Sequence, residues 1–149
     1  MTLKQQIHER YLQTVQDKID AFRDMIAAMS EDSRNDAKGS AGDKHETALS
    51  MMHIEQEKLT RKLQEFVDQK AVLERIDPSA SSSKAIQGSL VIANGIYLYL
   101  SAALPKITID GKNIIALSPQ SPLGMNLLGQ EAGHSFSIGT TTYLVTDIS

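Results

Sequence analysis

Two stretches in the first half of the chain carry apolar residues at alternating steps of three and four. Neither contains proline or glycine. In the first, the repeating positions are Leu12, Val15, Ile19, Phe22, Ile26 and Met29. In the second they are Leu49, Met52, Gln56, Leu59, Leu63, Phe66, Lys70 and Leu73, with Gln56 and Lys70 as polar exceptions. This a/d spacing is the seam of a coiled coil, and it restricts residues 1–77 to long paired helices. The polar segment "SEDSRNDAKGSAGDK" is expected to connect the two stretches, which lets them pack back as an antiparallel hairpin. Half of an intermolecular coiled coil or a helical bundle would show the same periodicity. At 1.5 Å per residue each arm would reach roughly 40–50 Å.

The composition changes sharply after this region. Residues 1–77 hold 12 of the 15 Lys/Arg and 15 of the 18 Asp/Glu, leaving three of each for the rest of the chain. Between the halves lies "DPSASSSK", where Pro78 disfavours helix at Asp77 and the serines have little to bury. The expected organisation is therefore a helical hairpin over 1–77, a linker over 78–84 and a second module over 85–149.

That second module is apolar and β-branched. "SLVIA" (89–93), "IYLYLSA" (96–102), "KITID" (106–110) and "NIIAL" (113–117) read as strands, with Asn94-Gly95 and Asp110-Gly111 as hairpin turns. "SPLGMNLLG" (121–129) reads as one short helix, with Ser121 as N-cap, Pro122 in the first helical position and Gly129 as terminator. "HSFSIG" and "TYLVTDI" close a small antiparallel sheet. His134 has no acid or cysteine at ligand spacing and reads as a surface or loop histidine. The fold class is thus α+β.

Several function classes are excluded or disfavoured. The chain has no cysteine, so it forms neither disulfides nor thiolate metal sites, which fits a reducing compartment. Its first residues lack the apolar core of a secretory signal, and no apolar run approaches the roughly 18 residues of a membrane span. A cytoplasmic protein without membrane contact is expected. The net charge of −3 is too mild to argue for bulk nucleic-acid binding.

The chemistry-bearing feature is "GDKHETA", residues 42–48, which places Asp43 and Glu46 three residues apart. As a D-x-x-E capping box, Asp43 would accept from the Glu46 amide while the Glu46 side chain reaches back; Ser40 offers a competing cap. As half of a Mg²⁺ site, two carboxylates on one helix face supply hard oxygen ligands but too few for octahedral coordination. A second macromolecule would have to complete it, as two-metal phosphoryl chemistry allows. His45 lies between them but is an unusual Mg²⁺ ligand.

With these residues in view, the chain resembles the bacterial Gre transcript cleavage factors. Gly42, Asp43, Glu46 and Ala48 fit the family's tip signature, while Lys44, His45 and Thr47 depart from it. The segment "ALSPQSPLGMNLLGQEAGHSFSI" (116–138) is similar to the family's C-terminal core at Ser121, Pro122, Leu123, Leu127, Leu128, Gly129 and Gly133. The resemblance covers nearly the whole chain. It implies an antiparallel coiled-coil hairpin with an acidic tip near 40–47, followed by an FKBP-like domain over 85–149.

The resemblance also implies a function. The C-terminal domain would dock on the rim of the RNA polymerase secondary channel, and the coiled coil would enter that channel. There Asp43 and Glu46 would share a Mg²⁺ with the polymerase beside the nascent RNA 3′ end, and the polymerase itself would cut the backtracked RNA. The protein would be a monomeric activator, not an independent enzyme. Two alternatives stay open. One is a polymerase-binding regulator that occupies the channel without stimulating cleavage; the other is a coiled-coil interaction module in which Asp43 is only a cap.

Overall fold

A computed structural model describes the backbone of residues 1–39 and 43–149, and the side chains of residues 1–32 and 47–149. Its architecture is α+β: two N-terminal helices, α1 (Leu3–Gly39) and α2 (Asp43–Glu74), precede a six-stranded mixed sheet. By contact, the chain forms two compact units. One comprises Gln13–Lys70; the other comprises Met1–Leu12 together with Ala71–Ser149.

In the helical unit, all of the repeating seam positions are buried or half-buried. Phe22 meets Phe66 edge to face at 5.1 Å, and Gln56 donates to the Ser30 hydroxyl at 2.6 Å. Moving up α1 from 22 to 30 moves down α2 from 66 to 56, so the two helices run antiparallel. The polar exception at Gln56 is thereby explained, because it meets a polar partner across the seam. The expected connection of 15 residues is shorter in the structure, since α1 continues to Gly39. Residues 30–39 contain no proline, and their Glu, Arg, Ala and Lys carry little helix penalty, so polarity alone did not mark an end. The competing cap at Ser40 lies outside the described residues.

Helix α1 starts with a cap that joins Thr2 and Gln5. The Gln5 amide donates to the Thr2 hydroxyl at 3.1 Å, and the Thr2 amide donates to Gln5 Oε1 at 2.8 Å. This reciprocal pairing is a capping box and satisfies two amides that the helix cannot.

The strands are β1 (Leu90–Ala93), β2 (Ile96–Leu100), β3 (Leu104–Ile109), β4 (Lys112–Leu117), β5 (Ser135–Ile138) and β6 (Thr141–Ile148), ordered β3-β4-β2-β1-β6-β5. Both predicted hairpin turns are present. Asn94 and Gly95 have φ of 53° and 74°, and Asp110 and Gly111 have 50° and 75°, the left-handed pair that matches strand twist. The Asn94 side chain also donates to the Thr142 carbonyl and accepts from the Leu144 amide, tying this turn to β6.

The antiparallel sheet expected from sequence needs correction: β2 and β4 pair parallel, from Tyr97 with Ile114 to Leu100 with Leu117. After β2 the chain passes the place β4 will take, lays β3 at the edge, and returns through Asp110-Gly111. Two reversals leave β4 running the same way as β2. Hairpin signals fix only sequence neighbours and carry no information about this insertion.

Between β4 and β5 lies the short helix α3 (Pro122–Leu127), capped by the Ser121 hydroxyl, which accepts from the Gly124 amide at 3.1 Å. Leu127 is fully buried with Val91, Ala93, Leu98, Leu100 and Val145. Strand β2 is buried on both sides, because Leu98 and Leu100 join that cluster while Tyr99 alternates to the opposite face.

Candidate functional site

The sequence points to Asp43 and Glu46. Helix α2 begins at Asp43, so both positions fall in its first turn. Their side chains lie outside the described residues, as do those of Lys44 and His45. The helix behind them is well defined in its contacts: the Gln56–Ser30 bond and the Phe22–Phe66 pair fix the register of α2 against α1. An open groove of about 640 Å³ follows α2, lined by His53, Gln56, Glu57, Thr60 and Arg61. Gln56 spends its donor on Ser30, and the Thr60 hydroxyl donates to the Gln56 carbonyl at 2.8 Å. The first bond joins the two helices and the second lies within α2.

The sheet-containing unit holds a second cluster that sequence reasoning missed. Lys4, Ile7, His8 and Tyr11 lie on one face of α1 at helical spacing, and all are buried. His8 Nδ1 and the Tyr99 hydroxyl are 2.7 Å apart. The Tyr11 ring stacks on Tyr99 with planes 6° apart, and its hydroxyl donates to the Pro105 carbonyl at 2.9 Å. Lys4 Nζ donates to the Ala80 carbonyl at 2.7 Å. The signal was present in the sequence, since these residues extend the α1 periodicity upstream of Leu12. Lys4 and His8 disguised it, because charged and titratable residues are not expected on a buried stripe.

Burial governs the protonation of this cluster. It lowers the Lys4 pKa, partly offset by the Asp77 carboxylate. It lowers that of His8 as well, and the Lys4 charge adds to the effect. Burial pushes Tyr11 up to about 12 and raises Tyr99 further. Beside Lys4, a cavity of about 240 Å³ is lined in part by Arg75, Ile76, Asp77 and Gly88. It collects two cations and a carboxylate, but the Lys4 ammonium is committed to Ala80, and the arrangement reads as a clip between α1 and the 77–80 segment. His134 is half-buried and stacked on Phe136 at 5.6 Å, which in turn stacks on Tyr143 at 5.2 Å.

No protein-family model matches the chain, and no curated protein matches it in sequence. Among the described residues, no helix is long and apolar enough to cross a membrane.

Proposed function

We propose that the chain is a Gre-type factor that binds RNA polymerase and stimulates its cleavage of backtracked RNA. The carrying observation is that α2 begins at Asp43, so the two acids occupy the first turn of a long helix paired antiparallel with α1. The C-terminal motif also supports it: Ser121 caps α3, Pro122 opens it, and Gly129 follows at φ 76° with its amide bound to the Ala85 carbonyl. On this proposal the sheet unit is FKBP-like and docks on the secondary-channel rim. The helical pair enters the channel as the probe.

Asp43 and Glu46 would act as ligands. Two carboxylates within one turn offer the hard oxygens Mg²⁺ prefers, and their number leaves the remaining positions to polymerase groups and water. A Mg²⁺ held there would supply an activated water for phosphodiester hydrolysis. The chain's own contribution would be to bring two carboxylates in the first turn of a long helix, so that the ion would be bound only when both partners are present.

The test is a cleavage assay on halted, backtracked complexes. Asp43→Asn with Glu46→Gln should abolish stimulation while polymerase binding persists. Asparagine caps a helix as well as aspartate does, so an unchanged rate in this variant would leave the pair a cap. A second reading draws on Lys44 and His45, which place a cation and an imidazole between the acids. On that reading the wild-type chain binds polymerase and slows elongation without stimulating cleavage, which the same assay reads out.

A further inference from the structure

We infer that His8 is an acid-sensitive latch that holds the first three turns of α1 against the sheet. The inference concerns Met1–Leu12 and the strands within one compact unit, and it is independent of the polymerase proposal.

The geometry turns on one proton. The Tyr99 side chain is fully buried, and its hydroxyl faces His8 Nδ1 at 2.7 Å. A buried phenol needs an acceptor for its O–H. Neutral imidazole provides one when Nδ1 carries the lone pair, with the ring proton on Nε2. Protonation of His8 turns Nδ1 into a donor. The phenol oxygen can accept from that N–H, but the Tyr99 proton then loses its acceptor inside the core. Stranding a buried polar group in this way costs more than an average hydrogen bond contributes.

The charged surroundings act in the same direction. Lys4 lies one turn earlier on the same buried face, and its ammonium is the charge that bears on His8. From the other elements packed here, β2 presents the Tyr99 phenol, the start of β3 presents the Pro105 carbonyl, which the Tyr11 hydroxyl already occupies, and Asp77 lies by Lys4. A cationic His8 would therefore be a second buried positive charge, 5% exposed, on a face whose acidic neighbour already serves Lys4. Opening relieves both problems by returning His8 to water, where it titrates near its ordinary 6.5. The opened state binds the extra proton, so acid favours it.

Native-state amide exchange on the full chain tests the latch. The amides of Ile7–Leu12 are followed at pH 7.5 and pH 5.5, corrected for intrinsic exchange, with Leu98–Leu100 in β2 as the internal reference. In the wild type, opening of α1 should rise about tenfold relative to β2, the limit for a group that stays neutral when latched and titrates near 6.5 when free. His8→Gln keeps an acceptor for Tyr99 and cannot charge, so its opening ratio between the two pH values should stay near one. An NMR titration of the wild-type imidazole signals gives a readout that survives a poorly folding variant. Because the latched form dominates those signals, His8 should keep its neutral-ring signal across the pH range in which α1 opening rises. Equal α1 protection at the two pH values, an unchanged response in His8→Gln, or a His8 ring that takes up its proton while α1 stays fully protected would overturn the inference.

Discussion

Gln56 on α2 donates its side-chain amide to the Ser30 hydroxyl on α1 at 2.6 Å, so that one of the two polar positions in the α2 seam meets a polar partner next to Met29, the last repeating position of α1. Both side chains are half-buried. A single polar contact in an apolar seam fixes register at some cost in stability. Ser30→Ala should destabilise the chain by about 0.5–1.5 kcal/mol, because the Gln56 amide loses its partner. Ser30→Ala combined with Gln56→Leu should recover that loss, since both polar groups are then gone. Urea unfolding followed by circular dichroism measures both, and a double variant no better than Ser30→Ala would deny that the two residues are coupled.

Ten residues further along α2, Phe66 anchors the same interface. It is 7% exposed, packs on Phe22, and has the Lys18 and Lys62 ammoniums 5.5 and 5.3 Å from its ring centroid. Phe66→Ala should cost about 3–5 kcal/mol, the usual range for emptying an aromatic core site. Lys18→Met should cost only about 1–2 kcal/mol, because a cation–π contact from a half-buried lysine is worth less than the buried ring itself. Lys62→Met should behave similarly, since its ion pair with Glu65 at 2.9 Å joins two exposed side chains. The same unfolding measurement ranks all three variants, and a lysine variant as damaging as Phe66→Ala would refute the ordering.

These seam residues were legible in the sequence because a helix repeats every few residues, so its buried stripe can be read from spacing alone. The same holds for the two-residue turns, whose left-handed φ values demand Asn, Asp or Gly, and for the cap and terminator of α3. What spacing does not carry is long-range order. The parallel pairing of β2 with β4 depends on which strand inserts between which, a choice made by the packing of Leu98, Leu100 and Leu117 into one cluster. Nor did the change in composition at Asp77 reveal that Ile7 and Tyr11 belong with the sheet. Their neighbours Lys4 and His8 are buried only because Ala80 and Tyr99, more than 70 residues away, supply partners. For the candidate tip, the sequence supplied the two acids, and the backbone adds that both fall in the first turn of α2.

The α3 region offers two substitutions of different severity. Ser121→Ala removes the hydroxyl that caps the Gly124 amide and should cost about 0.5–2 kcal/mol. Gly124→Ala should cost more, even though alanine is the better helix former. A Cβ at position 124 would overlap the Ser118 carbonyl oxygen and crowd Pro119, both backbone that cannot swing away. The strain would pass to Leu127, which α3 holds in the core. Thermal unfolding should therefore show a larger fall in Tm for Gly124→Ala than for Ser121→Ala. Equal shifts would mean that the 118–119 turn yields without cost.

The buried tyrosines set the alkaline limit of stability. Tyr11 is pushed up to about 12 by burial, with the Ala116 amide pulling weakly the other way, and Tyr99 is raised further by burial. Each phenol therefore keeps its proton in the folded state over a range where the unfolded chain, titrating near 10, has lost it. The folded state binds more protons there, so stability falls as pH rises above about 10. Lys4 opposes this. Its lowered pKa lets the folded state release a proton before the unfolded chain does, which adds stability as pH rises towards 10.5. Tyr11→Phe removes one ionisable phenol and leaves the stacked ring on Tyr99, at the expense of the bond to Pro105. In denaturation at pH 8 and pH 11, Tyr11→Phe should be the less stable protein at pH 8, and it should lose less stability than the wild type on going to pH 11. A parallel decline in the two proteins would show that the Tyr11 phenol does not contribute to the alkaline limb.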